Sequence, residues 1–562
     1  AAGGRERVAD ALERFLAEKL DLATVDRAVP LTDYGMNSIM SVELSEELSR
    51  RWGVKLPATL FLEYGDFDDL VTALVERYRA TPPQPAAAAS AGRGEQAQDE
   101  PRLRAPRRDT SRDIAVVAVS GDVPGAADLA EFWSMLRTGR DAFTEVPATR
   151  WDVDAYFEPR GPGMTGTYCR LGAFLADIDR FDPRFFGISW REAEEMDPQQ
   201  KLLLEHAWSV INEGGMAGRR DVRAFVGATY THHRDARGLA EVGPHSALGA
   251  MNAVLANRIS YALDLTGPSQ TVDTLCSSSL VALHQAVMQL RAGTCGAAVV
   301  AACHVGLTPW YYRSLSQLGA LSTGKPRPFD ADADGFLPGE GAIAVLLKRL
   351  DDAERDGDRI WGVIRGAAVN HGGRGSALPV PRSEAQAAVI RAALADAGVA
   401  PETVTLVETH GTATKLGDPI EFAALTEVFG NGTRTQPCFL GSVKSNIGHL
   451  EPASGLAGLL KVLLCLRHRE IPPLVGFTTP NPQLDLASGP FTIPTEPRPW
   501  RADGPLRAGI SAFGMAGTNA HVCVEEYPSR ALGDDVATRD PDRRHVLVLS
   551  GHTPQALSQR VA

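Results

Sequence analysis

Four residues pose the chemical question in this chain: Cys276, His410, Lys444 and His449. Cys276 lies in TVDTLCSSSL, where Thr271 and Val272 read as the end of a strand. The small residues after them read as a turn into the apolar-periodic segment LVALHQAVMQL. That order puts a thiol at a helix N-terminus, where unpaired N–H groups favour the nucleophilic thiolate. A lone cysteine is more often a small buried apolar residue. His410 stands in LVETHGTATKLGDPIE, and Lys444 and His449 stand in GSVKSNIGHLEPASG. Each stretch opens on a short apolar or β-branched run and turns through glycines, as a strand does when it delivers side chains to a loop. Imidazoles donate or accept near neutral pH and suit acid–base work beside a sulfur nucleophile.

These three segments resemble those of β-ketoacyl synthases, the condensing domains of polyketide synthases. The intervals, 134 positions from Cys276 to His410 and 39 from His410 to His449, are close to those of that family. The resemblance continues in the family's order through FDPRFFGISWREAEEMDPQQKLLLE (181–205), ANRISYALDLTGPS (256–269), RPFDADADGFLPGEG (327–341) and ISAFGMAGTNAHV (510–522). It covers residues 111–528. It implies an α/β fold, the thiolase-like αβαβα layered ketosynthase, built from two similar halves and normally a homodimer. Periodicity alone supports the α/β class: AAVVAACHV (297–305), AIAVLLKRL (342–350) and WGVIRGAAV (361–369) read as strands alternating with helical runs. No internal repeat is visible in the sequence.

The elements that must position these residues belong to a chain of 562 residues, 44% hydrophobic and 22% charged, too long for one compact core. The net charge of −12 and the scatter of the basic residues argue against nucleic-acid binding. No run approaches the roughly 18 apolar residues of a membrane span. The start AAGGRERV has neither region of a signal peptide and lacks Met, as expected of a piece excised from something longer. The seven cysteines form no CxxC pair and no Cys/His grouping at zinc spacing, so a reducing cytoplasm, no disulfide framework and no metal are expected.

Residues 5–79 read as a small all-α bundle, with Val8, Leu12, Phe15 and Leu16 at helical spacing and a second periodic run after Ser38; the stretch carries 10 basic and 15 acidic residues. YGMNSIMSVEL resembles the phosphopantetheine attachment site of acyl carrier proteins. The resemblance makes Ser38 the residue that bears 4'-phosphopantetheine at a helix N-terminus, a place that suits a phosphodiester. Asn37 stands where the family usually has Asp, which leaves efficient modification by a phosphopantetheinyl transferase open. Residues 80–110, rich in Ala, Pro, Gln and Arg, read as a flexible linker. It would span roughly 100 Å fully extended and average about 30 Å end to end. Residues 529–562 read as the start of a truncated region that follows the condensing domain.

By the resemblance, Cys276 accepts an acyl group from a carrier's pantetheine, and His410 and His449 together promote decarboxylative condensation with a malonyl carrier protein. Lys444 holds that network in register as a fixed positive charge. Asp418 in LGDPIE reads as turn chemistry rather than catalysis. The backbone N–H groups of Cys276 and Met515 are the oxyanion donors, and Thr412 and Thr414 contact the pantetheine arm. Departures from the family include Met515, Ala516 and Ala413. The implied partners are acyl and malonyl carrier proteins, the transferase that modifies Ser38, and a separate acyltransferase acting in trans. An elongating synthase is the first reading. A gatekeeping synthase that only transfers acyl chains, a chain-branching synthase and a catalytically silent scaffold subunit are the alternatives.

Overall fold

The computed structural model describes residues 2–19, 25–27, 38–57, 60–64, 66–78, 112–238, 242–375, 377–430, 434–487, 489–528, 549–550 and 553–561. The stretch read as a linker, 80–110, lies outside them, as do Asn37 and 529–548.

The N-terminal part is helical, as its periodicity predicts. In α1 (Ala2–Lys19), Val8, Leu12, Phe15 and Leu16 are buried in one cluster with Leu44 and Leu48 of α2 (Ser38–Trp52) and with Phe67 and Leu70. The helix carrying Phe67 starts where the Asp66 carboxylate accepts the amides of Asp68 and Asp69. Arg27 donates to Glu6, Asp10 and Glu13 at 3.0, 2.6 and 2.9 Å, tying a separate stretch of chain to the acidic side of α1.

The rest is built from two runs of the same elements. The first comprises β1 (Ile114–Asp122), α3 (Pro198–Glu213), β2 (Val222–Gly227), α4 (Asn252–Ala262), β3 (Ser269–Val272), α5 (Ser278–Arg291), β4 (Ala297–His304) and β5 (Gly341–Arg349). The second comprises β6 (Gly362–His371), α6 (Ser383–Ala397), β7 (Leu406–Glu408), α7 (Gly417–Phe429), β8 (Cys438–Gly441), α8 (Ser454–His468), a two-residue edge strand β9 (Phe491–Thr492), β10 (Arg507–Phe513) and β11 (Thr518–Glu525). The first run's strands pair in the order β1-β5-β4-β2-β3 and the second's in the order β6-β11-β10-β7-β8. Equivalent neighbours have equivalent directions: β4–β5 and β10–β11 are antiparallel, and β2–β3 and β7–β8 are parallel. A short antiparallel ladder, Ile114 to Ile364 through Val116 to Gly362, joins the runs. The repeat hidden in the sequence is thus a repeat of topology.

Apolar burial turns this order into layers. One face of the first run's sheet packs on α3 and α4 through residues such as Leu203, Val210 and Ile259. One face of the second packs on α6 and α7 through Ile390, Leu394, Phe422 and Leu425. The remaining faces share one core with α5 and α8 between them, giving the five-layered αβαβα arrangement. β4 is buried at every position, so it reads as a continuous apolar run rather than an alternating one. α8 is buried on all sides for the same reason: Leu456, Leu459, Leu460 and Leu463 are each fully enclosed. Each such leucine contributes about 1.5–3 kcal/mol of transfer free energy.

The two central helices meet at their N-terminal ends. Ser454 Oγ donates to the Cys276 carbonyl at 3.2 Å, and the Leu456 amide donates to Ser279 Oγ at 3.2 Å. Gly455 permits this approach, since a Cβ there would lie 2.5 Å from Leu280 Cγ and 2.8 Å from Ser279 Oγ. We therefore expect Gly455→Ala to destabilise the fold by about 1–3 kcal/mol through overpacking. Urea unfolding checks this, and an unchanged midpoint would mean that the helices do not depend on that contact.

Candidate functional site

Cys276 is delivered by the first run. After β3 the chain passes through Leu275 at φ 56° and a single 3-10 turn, Leu275–Ser277, into α5. A bulky residue in the left-handed region costs roughly 1–2 kcal/mol, and the turn is held by specific bonds. Asp273 Oδ1 accepts the Leu275 amide at 3.1 Å and the Thr229 hydroxyl at 2.8 Å. Ser278 Oγ accepts the Thr274 amide at 2.8 Å and donates to the Leu275 carbonyl at 2.6 Å. The Ser278 side chain therefore satisfies the backbone of the turn that carries the cysteine.

The histidines come from the second run, His410 from the loop after β7 and His449 from the loop after β8. The Cys276 sulfur and one ring nitrogen of each imidazole lie within 4.8 Å of one another. The His449 loop is pinned by the PGEG segment, where the Gly339 amide donates to the His449 carbonyl at 2.9 Å and the His449 amide donates to the Leu337 carbonyl at 2.8 Å. Glycine is required at 339, because a Cβ would sit 2.2 Å from the Ile447 carbonyl oxygen.

Backbone donors fix the tautomers. The Glu451 amide donates to His449 Nδ1 at 3.1 Å, and the Phe513 amide donates to His410 Nδ1 at 3.4 Å. In the neutral rings the proton then sits on Nε2. Burial pulls both imidazoles well below their ordinary 6.5, and the charge of Lys444 pulls the same way. Both rings are neutral at pH 7, with Nε2–H groups as donors.

Lys444 is buried in the same loop, 3% exposed. Burial pulls its ammonium down, opposed by the carboxylates of Glu408 and Glu421. Glu421 accepts the amides of His410 and Gly411 at 2.7 and 2.8 Å, while burial pushes its carboxyl up to about 7. Glu408 pairs with Lys461 of α8 at 2.7 Å and accepts the Val443 amide at 2.5 Å, so a buried pair anchors both loops to the central layer. Asp418 accepts the amides of Phe329 and Ala413 at 2.6 and 3.0 Å, the structural part read from the sequence. Ala413, where glycine is common in the family, has φ 56° and is fully buried, so the chain carries a methyl group in a conformation that favours glycine.

Cys276, His410, His449, Thr412, Thr414 and Met515 all line one cavity of about 540 Å³. Thr414 Oγ1 accepts the Gly417 amide at 3.0 Å and lies 3.3 Å from Thr412 Oγ1. Met515, 38% exposed, directs its amide at the Cys276 sulfur from the turn between β10 and β11. That turn passes close to the cysteine turn, and a Cβ at Gly514 would lie 2.5 Å from the Thr274 carbonyl oxygen. Ser38 is the first residue of the 15-residue α2, a position whose free amides suit an attached phosphodiester.

One sequence expectation is reversed. The helix N-terminus was expected to favour the thiolate at Cys276, yet burial pushes the thiol well above its ordinary 9, and Glu451 pushes it further in the same direction. The Met515 amide and Lys444 act against this without overcoming it. The sequence reading missed Glu451 and Tyr311. Glu451 Oε2 lies 3.5 Å from the sulfur, and Tyr311 donates its hydroxyl to Oε1 at 2.6 Å. The available signal was one carboxylate in the run HLEPASGLAGLL, otherwise apolar or small after the histidine.

The family profile Beta-ketoacyl synthase, N-terminal domain matches residues 111–353, and the C-terminal domain profile of the same family matches 361–478. A Ketoacyl-synthetase C-terminal extension matches 480–562, and a Phosphopantetheine attachment site matches 7–74. The chain is 37% identical over 595 residues to Polyketide synthase PksN of Bacillus subtilis and 40% identical over 619 residues to Polyketide synthase ThaG of Burkholderia thailandensis. These alignments take in 99% of this chain and 11% of each relative, so the chain spans about a tenth of their length. Among solved structures, the ketosynthase from module 6 of the bacillaene synthase of Bacillus subtilis 168 superposes with a TM-score of 0.68 at 39% identity, covering 74% of this chain and 72% of that one. The oxazolomycin ketosynthase domain OzmH KS7 of Streptomyces albus gives 0.69 at 42%, covering 74% and 76%.

The lowered imidazoles carry a direct prediction. The Cε1 proton resonances of His410 and His449 should stay at their neutral positions as pH falls from 8 to 6, while an exposed imidazole titrates near 6.5. A midpoint at or above 6.5 for either ring would contradict the neutral pair.

Proposed function

Since the chain belongs to the β-ketoacyl synthase family, we propose that it is an elongating ketosynthase of a polyketide synthase, fed by the carrier domain at its own N-terminus. The observation that carries this reading is the meeting of one sulfur and two neutral Nε2–H imidazoles at a cavity wide enough for an acyl thioester. In the first half-reaction Cys276 attacks the thioester carbonyl of an acyl carrier, the tetrahedral oxyanion takes hydrogen bonds from the amides of Cys276 and Met515, and the pantetheine thiol leaves. In the second, malonyl carrier loses carbon dioxide and its enolate carbon attacks the acyl-cysteine carbonyl; the C–Sγ bond breaks, Cys276 leaves as thiolate and regains a proton from water, and the lengthened chain stays on the carrier. The two Nε2–H groups donate to the enolate oxygen, a task that protonated imidazoles would perform with a stronger but costly buried charge. Both histidines are present, which supports condensation over simple acyl transfer.

Ser38 is the attachment residue, and 4'-phosphopantetheine, when bound, supplies the thiol that carries the acyl group as a thioester. We assign 5–79 to the carrier, 80–110 to a tether and 111–528 to the condensing unit. A tether of that length raises the carrier's local concentration towards about the millimolar range. Malonyl units come from a carrier loaded by a separate acyltransferase, and Thr412 and Thr414 bind the incoming arm. Lys444 fixes the loops of both histidines. Homodimerisation is part of the proposal: β3 is the last strand of the sheet among the described residues, and α4, which packs on β3, leaves Tyr261 87% exposed. A cytoplasmic setting suits seven free, buried cysteines, and no helix among the described residues is long and apolar enough to cross a membrane.

Intact mass after incubation with acyl-pantetheine, followed by malonyl carrier, tests the reading. Wild type should gain one acyl group and then release a chain longer by two carbons, and Cys276→Ala should gain none. His449→Ala should acylate yet condense at least about 100-fold more slowly. Acylation of wild type without extension would favour the gatekeeping alternative.

A further inference from the structure

The acyl-transfer step leaves a proton to account for. Cys276 Sγ meets a carboxylate oxygen at 3.5 Å, the contact of a thiol donor, and nucleophilic attack requires the proton to leave sulfur as the new bond forms. An imidazole is the usual choice of base, yet neither is available here. His449 Nδ1 and His410 Nδ1 each accept a backbone amide, so each neutral ring carries its proton on Nε2. A neutral ring in that tautomer donates and cannot take up the thiol proton through Nε2.

We propose, building on the ketosynthase reading, that Glu451 is the general base for acylation of Cys276. Its Oε2 lies 3.5 Å from Sγ, a hydrogen-bonding separation for a thiol donor. The carboxylate is 4% exposed and is aimed by three restraints. Tyr311 donates to the other oxygen at 2.6 Å, the Glu451 amide is held by His449 Nδ1, and the residue sits at φ 48°. A non-glycine residue in that region is held there by its surroundings, which is how a reactive side chain is kept in register.

The step balances. The Sγ–H proton passes to Oε2 as the Sγ–C bond forms, the C–S bond to pantetheine breaks, and the departing thiolate takes the proton back from the carboxylic acid. The products are the acyl-cysteine, a free pantetheine thiol and Glu451 ionised as before.

The groups facing the carboxylate tune it. Tyr311, from the helix Pro309–Gln317, favours the ionised form through its hydrogen bond, as does the positive charge of Lys444. Burial opposes ionisation and raises the carboxyl above its ordinary range, as it raises the thiol. The phenol of Tyr230 also lies within the field of Glu451. The arrangement gives the two residue types separate tasks: Glu451 moves the proton of acylation, and the imidazoles hold the enolate of condensation.

The test is the single-turnover rate of acylation of the full chain by acyl-pantetheine, read by intact mass between pH 6 and 9. Glu451→Gln should acylate about 100-fold more slowly at pH 7, and its rate should climb about tenfold per pH unit as hydroxide takes over deprotonation. Tyr311→Phe removes a bond that favours the carboxylate, so the acid limb of its profile should move to higher pH. Glu451→Gln reacting as fast as wild type, or faster with a lowered thiol midpoint, would show that the carboxylate only opposes ionisation, and would overturn the proposal. A loss equal at every pH, or a Tyr311→Phe limb that stays in place, would overturn it as well. A wild-type chain that takes up no acyl group would sink the ketosynthase reading itself, a result separable from all of these.

Discussion

The site depends on the contact between the N-terminal ends of the two central helices. Cys276, the proposed nucleophile, belongs to the first run of elements and the imidazoles to the second, so nothing local along the chain brings them together. Gly455 lets the start of α8 close on Leu280 and Ser279, and Ser454 and Ser279 bond across the junction. Because each helix is preceded by the third strand of its run, the topological repeat places the Cys276 turn opposite the His449 loop. The apolar core around α5 and α8 then has a structural consequence: it holds a sulfur and two rings, none of them part of that core cluster, to within a few ångströms of one another.

Burial also sets the chemistry. A desolvated pocket favours the uncharged forms of all three reactive groups, so the resting state is a thiol beside two neutral imidazoles. Charge is admitted where it is compensated, at the Glu408–Lys461 pair and around Lys444, which hold loops, and at Glu451, whose carboxylate accepts the Tyr311 hydroxyl beside the sulfur. The neutral resting state makes a backbone amide such as that of Met515 a good partner for charge that appears only during reaction.

Much of this was legible in the sequence because it rests on local signals. The strand–turn–helix around Cys276, the loops bearing His410 and His449, and the largely apolar strands β4 and β5 follow from periodicity and small-residue punctuation. The left-handed conformations of Leu275, Ala413 and Glu451 were not, since none of these residue types favours it and tertiary contacts impose it. Tyr311 was invisible for a different reason: it lies 140 positions from Glu451, in a helix whose other features are those of ordinary packing. The direction of the Cys276 shift was misread because helix position is a local property and desolvation is a global one. The repeat escaped notice because packing constrains the order of the elements and leaves the identity of their residues free.

The central proposal is that one cavity separates two jobs, with amides of the Cys276 and Met515 turns for the acyl oxyanion and the two imidazoles for the enolate. The structure of the acyl-cysteine form measures this most directly. The account predicts the acyl carbonyl oxygen at about 3 Å from the amides of both Cys276 and Met515, with both Nε2–H groups left open to the cavity. An acyl oxygen bonded to His410 or His449 instead, or an acyl chain directed away from the cavity, would contradict it.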